Sequence, residues 1–192
     1  MKKLMTLLTL TVLTSGTAIA ASNTSNFYVG IDYVKSDFID IPLFTKSDES
    51  SGYALQFGYQ LPTLSDWVNA FELEYINAGS AKYNYDNLGG AITGSGELKL
   101  TAINLSYKPR LYFGRFYVSG QVGYASVSAS GNANYTVSGT RTDVDLVEKI
   151  GSGVTLGGEV GLMVTKNISL KGGYKLIEAN TSTLYTGLAF NF

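Results

Sequence analysis

Thr183-Leu-Tyr-Thr-Gly-Leu-Ala-Phe-Asn-Phe192 decides the fold. Leu184, Leu188, Phe190 and Phe192 share one parity, and Tyr185, Gly187, Ala189 and Asn191 share the other. A period of two describes a β-strand with one apolar and one mixed face. An edge strand ending in bare phenylalanine would invite aggregation unless it were paired and covered. A closed barrel in a lipid bilayer supplies both conditions, so this strand is expected to close such a barrel.

The same alternation recurs upstream over 26–35, 52–61, 67–77, 96–108, 116–126, 153–164 and 168–178. In the second of these, Tyr53, Leu55, Phe57, Tyr59 and Leu61 oppose Ala54, Gln56, Gly58 and Gln60. With the closing strand the pattern gives about eight strands of about ten residues, the length that crosses a bilayer at a barrel's tilt. The connections alternate. Ser36–Ser51, Ala78–Ser95 and Val127–Ser152 are expected as long loops. Pro62–Asp66, Pro109–Arg115 and Thr165–Asn167 are expected as short turns, with a brief link over 179–182. In outer-membrane barrels the short turns face the periplasm and the long loops face outside. One strand resists the pattern. Leu98 and Leu100 sit on the parity opposite to Ile103, Leu105 and Tyr107. Either a bulge lies near Ala102, or only the second half of that strand crosses lipid. The expected fold is all-β, an eight-stranded antiparallel up-and-down transmembrane β-barrel.

The 192-residue chain has one domain's length, no cysteine and no histidine. An exported chain without disulfides must be held by a large core or by a bilayer and a closed hydrogen-bond ladder. Its 22 glycines, 14 tyrosines and 9 phenylalanines against 3 prolines suit many strands and little helix. Met1-Lys2-Lys3, the apolar run Leu4 to Val12 and the small-x-small site Ala18-Ile19-Ala20 have the form of a secretory signal peptide. Residues 1–20 are therefore expected to be cleaved, leaving 21–192 as the barrel domain. The run is too short to anchor the chain across about 30 Å of hydrocarbon. Loss of Lys2 and Lys3 leaves 12 basic against 15 acidic residues, a net charge of −3. That is no electrostatic footprint for nucleic acid.

A soluble eight-stranded barrel would also alternate, but with its apolar face inside. Here the mixed face holds Asp32, Glu72, Glu74, Glu159, Lys171 and Lys175 among many small residues. Small residues make poor solubilising cover, and aromatics gather near strand ends as they do in interfacial girdles. The charged residues are therefore expected to face the lumen and to pair there, because a lone charge in a narrow barrel is costly.

Asn26-Phe-Tyr-Val-Gly-Ile31, Gly52-Tyr-Ala-Leu-Gln-Phe-Gly-Tyr59, Gly172-Gly-Tyr-Lys-Leu176 and the closing strand resemble the small eight-stranded outer-membrane proteins. This is the group of the OmpA transmembrane domain, OmpX and the opacity proteins. The resemblance covers the mature chain. It implies placement in the bacterial outer membrane as a monomer, contact with outer-membrane lipid and lipopolysaccharide, and Phe190 and Phe192 as part of a signal for the barrel-assembly machinery. The peptidoglycan-binding role of full OmpA proteins is not carried over, since the sequence stops at the barrel.

Chemistry is poorly supplied. Without histidine there is no Ser-His-acid triad. A Ser-Lys pair would have to come from Lys171, Lys175, Ser106 and Ser119, and lysines on such a face are more often ion-pair members. No cofactor or metal is expected, because no ligand cluster has suitable spacing. Gly157-Gly158 and Gly172-Gly173 open no helix and are not phosphate loops. An eight-stranded barrel is just filled by its own side chains. The expected function is structural or surface-interacting, in the manner of adhesins and opacity proteins. A narrow or gated small-solute channel is the alternative, and a lipid-modifying enzyme ranks third. The partner-binding candidate is the apolar patch Phe38, Ile39, Ile41, Leu43 and Phe44, rimmed by Lys35, Asp37, Lys46, Asp48 and Glu49. Tyr83, Tyr85, Tyr135 and Arg141 in the later loops are residue types favoured at binding surfaces. A host or cell-surface ligand is the expected partner of these loops.

Overall fold

The computed structural model describes residues 26–37, 45–46, 50–61, 66–86, 92–137, 140–177 and 181–192. Residues 1–20, where a signal peptide is expected, and the patch from Phe38 to Phe44 lie outside the described residues. Nine strands follow in order: β1 (Phe27–Asp37), β2 (Thr45–Lys46), β3 (Ser50–Gln60), β4 (Trp67–Asp86), β5 (Ile92–Phe113), β6 (Phe116–Val137), β7 (Thr140–Met163), β8 (Ile168–Ile177) and β9 (Thr181–Asn191). All pairings are antiparallel; β1, β3, β4, β5, β6, β7, β8 and β9 bond in that order and β9 returns to β1, so eight strands close a barrel. The two-residue β2 lies outside this ring and pairs with β4 at Asn84 and Tyr83. The C-terminal strand seals the barrel as its alternation requires: Phe190 sits opposite Val29 on one side and Ile168 on the other.

Closure leaves no free edge in the membrane belt, which is what hydrocarbon demands of a spanning sheet. The inside-out distribution is complete along the wall. Leu105 is 60% exposed and Val160 62%, while Glu72 and Lys108 are fully buried. Phe27, Trp67, Phe116 and Phe192 ring the end that carries the tight turns, and Tyr33, Tyr53, Tyr75, Tyr124 and Tyr174 ring the other. Such paired girdles mark the two bilayer interfaces. The turn 114–115 is tight because Gly114 takes φ +64°.

Three expectations need correction. The segments expected as loops over Ala78–Ser95 and Val127–Ser152 are largely strand: β4 and β5 stay paired out to Asp86 and Thr93, and β6 and β7 to Val137 and Thr140. Tyr83, Tyr85, Tyr135 and Arg141 are consequently on strands. The alternation signal fails there for a physical reason. It needs lipid on one side of the wall, and beyond the bilayer both faces of the sheet meet water, so the ladder forms without an apolar face. The connection expected over Pro109–Arg115 is also mostly strand, since β5 runs to Phe113. Finally, of the two alternatives for β5, the bulge near Ala102 is absent from that strand, while the exposed apolar residues Ile103, Leu105 and Phe113 do lie in its second half and Ser95, Glu97 and Lys99 are the exposed ones described in its first. The irregularity sits across the ladder in β4, between Asn77 and Gly79. Gly79 takes φ +85°, its N–H donates to Asn77 Oδ1 at 3.1 Å, and Ser50 Oγ donates to Ala78 O at 2.8 Å. Leu100 and Ala102 simply continue the inward parity of β5.

Candidate functional site

Two regions of the molecule could do work: the lumen, and the sheet that rises above the barrel. Inward positions of the lumen carry four acids, Asp32, Glu72, Glu74 and Glu159, and four bases, Lys108, Arg110, Lys171 and Lys175, all buried. Glu72 and Glu74 occupy alternate inward positions of β4, and Lys108 and Arg110 continue the inward row of Asn104 and Ser106 on β5. Lys108 Nζ lies 3.3 Å from Glu72 and 2.8 Å from Glu159. Tyr28 donates to Glu72 at 2.7 Å; Tyr117 and Tyr185 donate to Glu159 at 3.1 and 3.0 Å. Arg110 lies 4.0 Å from Glu72 and stacks over Tyr28, 4.5 Å from the ring centre. Lys171 pairs with Asp32 at 3.0 Å and approaches Glu159 at 3.7 Å. Gln56 bridges the two sides, donating to Asp32 and to Glu74 and accepting from Lys171. Lys175 donates to both oxygens of Glu74 at 2.5 and 2.6 Å, and Asn104 and Thr155 extend the chain of bonds from there.

The six charged residues picked out from the sequence thus lie in one bonded cluster with Lys108 and Arg110, and those two bases bring its net charge to zero. Sequence reasoning missed Lys108 and Arg110. Their parity was the available signal, and Pro109 concealed it by suggesting a turn. Proline lacks an N–H, yet it is tolerated here, where the β5–β6 ladder passes over Lys108 and Pro109. Tyr28 and Tyr117 were missed because a tyrosine on a mixed face gives no charge to follow. Each needs a neighbouring strand without a side chain: a Cβ on Gly58 would strike the Tyr28 ring, and one on Gly161 the Tyr117 ring.

Above the cluster the lumen changes character. Val34, Ala54, Ile76, Ala78, Leu100, Ala102, Ala125, Ala129 and Ile177 form one apolar plug, with Leu98 and Val127 against it. The Ser-Lys chemistry has no geometry here: Ser119 donates to the Pro109 carbonyl at 2.9 Å, and the buried Ser106 hydroxyl has no partner. Among the described residues, no group of three or more carboxylates is placed to hold a metal ion. At the barrel's closing edge, Phe192 N–H donates to Phe27 O at 3.0 Å, and its ring stands edge-on to Phe190, 5.2 Å between centres.

The second region is the projecting sheet. β4, β5, β6 and β7 run 20, 22, 22 and 24 residues, whereas β1, β3, β8 and β9 run 11, 11, 10 and 11. About ten residues suffice to cross, so each long strand carries roughly ten more, about 30 Å of extra sheet at the usual rise. Beyond Thr155, where the ladder with β8 ends, β6 is the one strand paired with β7 among the described residues.

A closed barrel with an apolar wall, two aromatic girdles and a plugged polar lumen defines an integral outer-membrane protein. The model of the outer membrane protein beta-barrel domain matches residues 5–192, and the chain belongs to that family. Its place is the bacterial outer membrane. Comparison with curated proteins gives no match. Among solved structures, the chain is similar to Ail, the attachment invasion locus protein of Yersinia pestis, crystallised with the heparin analogue sucrose octasulfate. The two share 12% identity over 86% of this chain and 96% of that one, with a TM-score of 0.46. Neisserial surface protein A is 17% identical over 88% and 98%, with a TM-score of 0.43. OprG of Pseudomonas aeruginosa is 10% identical over 90% and 98%, with a TM-score of 0.48.

Proposed function

We propose that the protein is a non-enzymatic surface-interaction barrel whose partner, a host or cell-surface ligand, is engaged by the sheet that β4–β7 raise above the membrane. The observation that carries this role is the doubled length of those four strands. A spanning function alone requires none of the extra sheet. Among the described residues, the outer stretch of β7 is strand-paired with β6 alone, and a sheet side of that kind accepts an extended segment of another chain by strand addition. The patch from Phe38 to Phe44 is proposed as a second contact at the same end of the barrel. The plugged lumen weighs against a diffusion channel, and its charge cluster is proposed as a structural strut.

The test removes the projection and spares the barrel. Deleting residues 83–96 and 132–145 cuts across paired positions, so two-residue turns can rejoin the strands. The shortened protein is expected to remain heat-modifiable on gels and to lose cell-surface binding. Binding at the level of the full chain would end the proposed role. Phe190 and Phe192 are proposed as part of the assembly signal; deleting Phe192 is expected to lower outer-membrane yield, and normal yield would remove it from that role.

A further inference from the structure

Directly beneath the apolar plug, side chains from three strands meet in one dry site. Glu74 on β4 and Asn104 on β5 stand opposite each other in the ladder, and Lys175 reaches them across the lumen from β8. Glu74 and Asn104 are fully buried, and Lys175 keeps 2% exposure. The next inward residues toward the extracellular end are Ile76, Ala102 and Ile177, all part of the plug, and the Tyr185 ring centre lies 4.6 Å from Lys175 Nζ. Lys175 Nζ donates to Glu74 Oε1 at 2.5 Å and to Oε2 at 2.6 Å. Asn104 Nδ2 donates to the same Oε2 at 3.2 Å, so amine and carboxamide hang on one carboxylate oxygen. The Asn104 carbonyl oxygen accepts from Thr155 Oγ1 at 2.9 Å. These four groups are a nucleophilic amine, an amide carbon to attack, a carboxylate able to carry protons between them, and a donor on the oxygen where charge would develop. A simple ion pair needs only the amine and the carboxylate.

We propose that Lys175 and Asn104 join spontaneously in an intramolecular isopeptide bond that ties β8 to β5 across the lumen. The inference is independent of the surface-interaction role. A proton passes from Lys175 Nζ to Glu74 along their hydrogen bond, and the freed lone pair attacks Asn104 Cγ. Charge gathers on Oδ1, where the Thr155 hydroxyl holds it. Glu74 delivers its proton to Nδ2 and takes a second proton from Nζ. The Cγ–Nδ2 bond breaks, ammonia leaves, and an amide remains between Nζ and Cγ. An ammonium, a carboxylate and a carboxamide thus become an amide, ammonia and a protonated Glu74, so atoms and charge balance without oxidant, reductant or added water. The product replaces a buried ion pair by neutral groups, which removes the desolvation penalty of two charges. Folding supplies the alignment: the two residues lie far apart in the chain and share a carboxylate only once the barrel has closed.

Intact-mass spectrometry of the full chain, held in urea and again after refolding into detergent micelles, tests the assignment. The chain in urea is expected to show its full mass, and the folded wild type one ammonia less. Proteolysis of the folded form should release a branched peptide in which Lys175 is joined to Asn104. Lys175→Met with Glu74→Gln removes the amine and the carboxylate together and strands no charge; this variant should fold, as heat-modifiability checks, and keep its full mass. Thr155→Val leaves every charged group in place and should slow the loss of ammonia about a hundredfold, the effect of removing one oxyanion donor. Full mass in the folded wild type overturns the proposal. So does an ammonia loss that persists in the double variant, or a peptide map that places the loss at another asparagine.

Discussion

The two halves of the lumen are sealed by opposite means. In the periplasmic half four acids and four bases neutralise one another through tyrosine, glutamine and asparagine. In the extracellular half Ile76, Leu100, Ile177 and their alanine neighbours exclude water by packing. The charged half is bound by directional bonds whose loss strands a buried charge, and it therefore concentrates the penalty for a single error. The apolar half spreads its stability over many small contacts and tolerates loss better, but it is the part that shuts the lumen against ions.

Lys108 is the sharpest place to break the charged half, since it is the one cation among the described residues that lies within 3.3 Å of both Glu72 and Glu159. Lys108→Met should cost about 3–5 kcal/mol in urea unfolding from lipid vesicles, because two carboxylates lose their shared cation. Adding Glu159→Gln should recover part of that loss, which a double-mutant cycle would read as coupling. An unchanged unfolding midpoint would mean that the cluster is solvated and not a strut. The apolar half should respond less. Leu100→Ala is expected to cost about 2–3 kcal/mol, the low end for a buried leucine because Leu100 keeps 8% exposure at the plug's upper edge. A loss larger than that of Lys108→Met would reverse the ranking of the two halves.

The comparison also explains what could be read from the sequence. Charged residues on the inward parity declare themselves, so Asp32, Glu72, Glu74, Glu159, Lys171 and Lys175 could be placed before any coordinates. Their pairing could not, because partners such as Lys171 and Asp32 lie 139 residues apart and meet only when the barrel closes. The plug was half visible. Leu98 and Leu100 broke the expected pattern, and a rule that assigns apolar residues to lipid has no place for leucines inside the barrel. The projecting sheet was invisible for a related reason: the composition of Val127 to Ser152, rich in serine, asparagine and glycine, looks like loop whenever neither face meets lipid. Strand pairing there rests on the ladder continuing out of the barrel, which periodicity does not record.

The closed lumen is the claim on which the proposed role depends, and single-channel recording in a planar bilayer tests it most directly. The purified full-length barrel should give no stable conductance steps, while Ile76→Ala with Leu100→Ala and Ile177→Ala, which thins the plug and leaves the charged half intact, should give small ones. Sustained steps from the unmodified protein would contradict the account and return the narrow channel to first place.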